Sequence, residues 1–135
     1  MSIEAQLQQS MSNIPECLAA GVSDIETGML LGVKTVDSHP TEVLELVAAA
    51  TADLYQGSNV LSIERMFKKS RGIDESNDER YFQDMLITSK NLLHMFLRSR
   101  TNPNHVITIV CRGTANMGMV ISKSRAALPA IEKLL

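Results

Sequence analysis

Three apolar runs between residues 81 and 112 leave this chain little freedom of topology. Tyr81 to Thr88, Leu92 to Arg98 and His105 to Arg112 each read as a β-strand. Ser89 to Asn91 separate the first pair, and a turn at Thr101 to Asn104 that contains Pro103 separates the second. Parallel strands need a crossover of roughly a dozen residues or more, so these runs predict an antiparallel meander. In the middle run Leu93, Met95 and Leu97 form the apolar face, with His94 and Arg98 opposite. In the last, Ile107, Ile109 and Cys111 share a face.

A hairpin precedes them. Ala19 to Val33 reads as two short strands around a tight turn, in which Asp24 and Thr27 can bond nearby backbone amides. Gly28 supplies the positive φ that closes such a loop. The remaining segments carry helical spacing. Ile3, Leu7, Met11 and Ile14 mark a helix over residues 2–17 that Pro15 ends or kinks. Asp37, Ser38 or Thr41 can cap a helix from Thr41 to Gln56, with Glu42 in its first turn. Its Val43, Val47, Ala50 and Leu54 form one face, and Leu44, Leu46 and Tyr55 widen the apolar surface. A helix this apolar needs cover from two directions, a sheet beneath and another subunit above. Gly57 and Asn59 interrupt it, Val60 to Lys69 forms a short continuation, and residues 70–80 read as loop. Asn116 can cap a last helix whose Val120, Ile121, Ser124, Leu128 and Ile131 fall near one face, with Pro129 inside it. The order is helix, two strands, helix, three strands, helix.

A chain of 135 residues with 44% hydrophobic content can build one core without disulfides or metals, which predicts a single domain over residues 1–135. It has no basic stretch followed by a long apolar run near Met1 and no run of 18 apolar residues. The expectation is therefore a cytoplasmic protein without integral membrane association. Cys17 and Cys111 suit a reducing compartment, and Cys111 reads as a small buried hydrophobe. Residues 1–60 are acidic, with Lys34 as the lone cation, whereas the rest is basic. The two halves neutralise each other on folding or present faces of opposite sign to partners.

Chemistry-bearing motifs are missing. The chain contains no dinucleotide or phosphate-binding glycine motif, no H-E-x-x-H and no G-x-S-x-G. His39, His94 and His105 are dispersed, so no metal or cofactor site is expected. His94 reads as a solvent-facing strand histidine, and Ser122 and Ser124 have no identifiable base. No catalytic residue is nominated. Arg65, Lys68, Lys69, Arg71, Arg98, Arg100, Arg112, Lys123 and Arg125 read as solvated surface. With 4% aromatic residues they lack the stacking platform that single-stranded nucleic acid needs, and no nucleic-acid partner is expected.

Four phrases in order resemble the roadblock/LC7 family of small regulatory and scaffold domains associated with GTPases and with dynein. They are A-G-V-S-D-I-E-T-G-M-L at 20–30, P-T-E-V-L-E-L-V-A-A-A at 40–50, H-V-I-T-I-V-C at 105–111 and R-G-T-A-N-M-G-M-V-I-S-K-S-R at 112–125. The resemblance implies an α+β, profilin-like fold of order αββαβββα. A five-stranded antiparallel sheet would carry the middle helix on one face and the terminal helices on the other. Asp24 and Gly28 would then set the hairpin's path, and Asn116 and Gly118 the entry to the last helix. It also implies a homodimer in which middle helices meet and edge strands join. Transferred here, the interface would comprise Val43, Leu44, Val47, Ala50 and Leu54 with Tyr81, Gln83 and Met85. Bacterial relatives include proteins that regulate a small Ras-like GTPase, so the implied function is a homodimeric adaptor or regulator acting by contact, without binding GTP itself. Arg112 is not assumed to be an arginine finger. The alternatives are a structural subunit of a larger complex, or a small-ligand sensor or enzyme using the groove beside Asp84 to His94.

Overall fold

The computed structural model describes residues 1–37, 41–74, 76 and 80–135, apart from the side chains of residues 41–43. The strands are β1 (Cys17–Asp24), β2 (Met29–Thr35), β3 (Asp84–Thr88), β4 (Leu92–Arg98) and β5 (His105–Arg112). They form one antiparallel sheet in the order β2-β1-β5-β4-β3, so β2 and β3 are its edges. The hairpin joining β1 to β2 is held by short-range bonds. Asp24 Oδ1 accepts the amide of Glu26 at 2.9 Å, and Thr27 Oγ1 that of Met29 at 3.3 Å. Gly28 adopts φ 75° while its amide donates to the Asp24 carbonyl at 2.8 Å.

Helices α1 (Ile3–Asn13) and α4 (Met117–Glu132) cover one face. Leu7 and Met11 of α1 and Val120, Leu128 and Ile131 of α4 bury against Val22, Met95, Leu97, Ile107, Ile109 and Cys111. Period-2 alternation in the strands and the 3.6-residue period of the helices meet in this core. Ser2 caps α1 by accepting the Ala5 amide at 3.1 Å, and Asn116 caps α4 by accepting that of Met119 at 3.0 Å. Gly118 lies in the exposed first turn of α4. Helix α1 is shorter than the 2–17 expected: it stops before Pro15, and Glu16 takes φ 50° to turn the chain into β1.

The opposite face carries α2 (Thr41–Gln56), which packs on β1 and β2 and places Tyr55 against Ile25, Phe96 and Val106. What read as a continuation of α2 is a separate helix, α3 (Ser58–Ser70). Gly57 lies between them, and a Cβ there would come within 2.8 Å of the Asp53 carbonyl oxygen. The strand expected from Tyr81 begins only at Asp84. Tyr81 is drawn off towards α3, where its ring stacks on Phe67 at 4.5 Å and its amide donates to Glu64 Oε2 at 3.2 Å. Among the described residues no helix is long and apolar enough to cross a membrane.

Several of the charged side chains are structural. Arg98, expected on the surface, is 1% exposed. Its guanidinium lies over the Tyr55 ring at 4.7 Å and donates to the Phe82 carbonyl at 2.8 Å and the Pro103 carbonyl at 2.7 Å. The Gln83 carbonyl accepts both the Arg98 amide at 3.0 Å and the Tyr55 hydroxyl at 2.8 Å. Burial works against the Arg98 charge, while Tyr55 and Glu64 favour it. Lys68 is also buried rather than solvated. Just beyond Arg98 along the chain, at the end of α4, Glu132 Oε2 accepts Ser99 Oγ at 2.5 Å and the amides of Arg100 and Thr101 at 2.7 and 3.0 Å. Burial opposes its ionisation, but those hydrogen bonds outweigh it and hold its pKa below the usual glutamate value.

Replacing Arg98 by Met leaves the Phe82 and Pro103 carbonyls without their donor and, at about 1–3 kcal/mol for each buried acceptor left unpaired, should cost about 2–6 kcal/mol in chemical denaturation. Arg98→Lys should not restore the loss, because an ammonium cannot reproduce the planar fork. Glu132 has a lowered folded pKa, so its contribution is complete above the unfolded value of about 4.3 and fades as pH falls through the folded one. The stability difference between wild type and Glu132→Gln should therefore shrink from about pH 6 towards about pH 3. Urea titrations at each pH check it.

Candidate interaction surface

Helix α2 has two apolar stripes. Ala48, Thr51 and Tyr55 are buried towards the sheet, as their spacing of three and four residues requires. Val47, Ala50 and Leu54 are exposed, Val47 by 49%, and Leu46 stands out at 69%. Thr51 turns its hydroxyl back to the Val47 carbonyl at 2.9 Å, so its polar group is satisfied within the helix.

The second stripe borders an open cleft of about 560 Å³ between α2 and the sheet. Leu44, Val47, Ala50 and Leu54 form the helix wall, and Gly21 and Phe96 belong to the floor. Four residues assigned to one interface are thus brought together here. Val43 falls outside the described side chains, as do Ser38 and His39 outside the described residues. The other three assignments are dispersed. Met85 is half-buried in the cluster around Tyr55 and Phe96. Gln83 precedes β3, and it is its carbonyl that binds Tyr55 and Arg98. Tyr81 lines a separate pocket of about 290 Å³ with Glu64, Phe67, Lys68 and Arg71.

Residues outside the expected set enlarge the exposed apolar surface. Ile63, Met66 and Phe67 of α3 are exposed, Met66 by 70%, as is Ile87 on the edge strand β3. The apolar spacing of α3 was visible in the sequence, and of these three side chains Phe67 is the one on which Tyr81 stacks. Asp84, which opens β3, pairs with Arg100 at 2.9 Å and Arg125 at 3.0 Å, fixing that end of the strand to α4.

The cleft also places the polar groups that sequence reading singled out. His94 faces this side rather than open solvent, lies parallel to the Phe96 ring at 6.5 Å and contacts Ser89 Oγ through Nε2 at 3.3 Å. Burial lowers its pKa, favouring neutral imidazole. Among the described residues no acidic side chain orients the pair, so the geometry amounts to a hydrogen bond across the β3–β4 turn. Among the described residues there is no group of three or more His, Cys, Asp or Glu side chains that can hold a metal ion. The arrangement offers contact area and an open strand edge.

No protein-family model matches the chain, and no curated protein sequence does. Solved structures do. One described as MglB with tetrameric arrangement superposes with a TM-score of 0.72 at 15% identity, over 98% of this chain and 86% of that one. Gliding protein MglB from Thermus thermophilus gives 0.68 at 17% identity, over 98% and 87%. A Roadblock/LC7 domain from Streptomyces avermitilis gives 0.67 at 10% identity, over 98% and 97%. With its five-stranded antiparallel sheet between α2 and the α1–α4 pair, the chain has the roadblock/LC7 fold.

Proposed function

We propose that this chain is a single roadblock/LC7 domain that works as a homodimer and regulates a small Ras-like GTPase by contact. The observation that carries the dimer is the second apolar stripe of α2. Leu44, Val47, Ala50 and Leu54 face an open cleft although one side of the helix is already packed. A second copy related by a two-fold axis covers that stripe with its own. The β3 edge extends the interface by pairing strands across the axis, which satisfies backbone groups that an edge leaves open.

The likeness in fold to MglB and Roadblock/LC7 structures supports the regulatory reading, as does the resemblance of the sequence phrases to that family. The mechanism is selection of a partner state: the dimer binds one conformation of the GTPase better and raises its population.

Each interface substitution occurs twice in a two-fold dimer. Burying a Val side chain contributes about 1.5–3 kcal/mol, so Val47→Glu should weaken association at least ~100-fold. Sedimentation across concentration measures this, and a wild-type chain that stays monomeric at about 100 μM contradicts the dimer. The partner is tested by pull-down from native extract, followed by hydrolysis and exchange assays on the recovered GTPase. Stable recovery in an assembly that contains no GTPase overturns the regulatory reading and favours a structural subunit.

A further inference from the structure

Cys17 opens β1 and Cys111 lies next to the end of β5, and the antiparallel register sets them opposite each other. The Arg112 amide donates to the Glu16 carbonyl at 3.0 Å. Residues 16 and 112 are therefore a hydrogen-bonded pair, and 17 and 111 the adjacent non-hydrogen-bonded pair. The ladder has a β-bulge between Cys17 and Ala19, just beyond this pair, and a regular pair of this kind holds its Cα atoms about 4.5 Å apart with side chains on the same face. That lies within the range of roughly 4.4–6.8 Å that a disulfide spans.

Both thiols are free. Their surroundings differ in a useful way. Cys17 is half-buried at the margin of the α1–α4 core, within reach of small solutes, whereas Cys111 is buried inside that core. A hydrogen bond from Cys111 holds the Cys17 thiol below its ordinary pKa, against the effect of burial. The same contact and burial push Cys111 up. Cys17 is thus the thiol that ionises first, and Cys111 the one positioned to react with it afterwards.

We propose that Cys17 and Cys111 form a peroxide-reactive pair that closes to an intramolecular disulfide between the first and last strands. The Cys17 thiolate attacks one oxygen of hydrogen peroxide, the O–O bond breaks, and the departing hydroxide takes a proton to become water. Cys17 is then a sulfenic acid. The sulfur of Cys111 attacks that of Cys17, the S–S bond forms as the S–O bond breaks, and the Cys111 proton leaves with the hydroxide as a second water. Two thiols are oxidised by two electrons, and one peroxide is reduced to two waters. The bridge lies on the α1–α4 side of the sheet, away from the α2 cleft, and so stands independently of the dimer. It closes the chain from residue 17 to residue 111, a span holding β2, α2, α3, β3 and β4. Thr114 Oγ1 donates to Glu16 Oε1 at 2.8 Å beside it, tying the same corner without the bridge.

The full-length chain, titrated with hydrogen peroxide under native conditions and then alkylated, should lose about 2 Da and both alkylation sites. Peptide mapping should return a Cys17–Cys111 cross-link within one chain. The melting temperature should rise by on the order of 10 °C and fall back with dithiothreitol. Cys111→Ser should trap Cys17 as a sulfenic acid captured by dimedone, and Cys17→Ser should leave Cys111 unmodified at the same dose. Two alkylated thiols after excess peroxide, a bridge between two chains, or Cys17 oxidised to sulfinic acid without a bridge would each overturn the proposal. The wild-type map decides between these outcomes even if Cys111→Ser does not fold.

Discussion

One buried guanidinium determines where the second helix sits. Arg98 leaves β4 on the face opposite the α1–α4 core and spends its donors on carbonyls of two separate segments, at Phe82 and Pro103. Tyr55, near the end of α2, lies beneath it and shares the Gln83 carbonyl with the Arg98 backbone. A charge out of water is tolerated only with such partners, and the partners are held only while the charge is present. The contact is therefore the hinge between the sheet, the segment entering β3 and the helix that carries the exposed stripe.

The α1–α4 side was legible because two short-range rules agree there. Strand alternation puts Met95, Leu97, Ile107 and Ile109 on one face, and connections of a few residues force antiparallel pairing. The same alternation puts His94, Phe96 and Arg98 on the other face without saying whether that face is covered. Arg98 therefore read as surface, although its partners lie at residues 55, 82 and 103. Tyr81 fails for a related reason: its β-like neighbours suggest a strand, but its ring finds Phe67 on α3. The facing of Cys17 and Cys111 needs the β1–β5 register, which no local pattern encodes.

The candidate surface was legible in kind and only partly in detail. Too much apolar surface on the 41–56 helix calls for two layers of cover, and the structure supplies one of them through Ala48, Thr51 and Tyr55. Leu44, Val47, Ala50 and Leu54 remain together at the open cleft. Tyr81, Gln83 and Met85 divide among a pocket, a carbonyl anchor and the core because β3 begins late. Packing of α2 through a single aromatic anchor and exposure of its second stripe are thus two sides of one arrangement.

Hydrogen exchange followed by mass spectrometry at low and high protein concentration tests this most directly. If a second copy fills the cleft, amides of residues 44–56 and of the β3 edge gain protection as concentration rises, while those of α1 and α4 do not change. Protection that is independent of concentration, or that appears on α1 and α4 instead, would contradict the account.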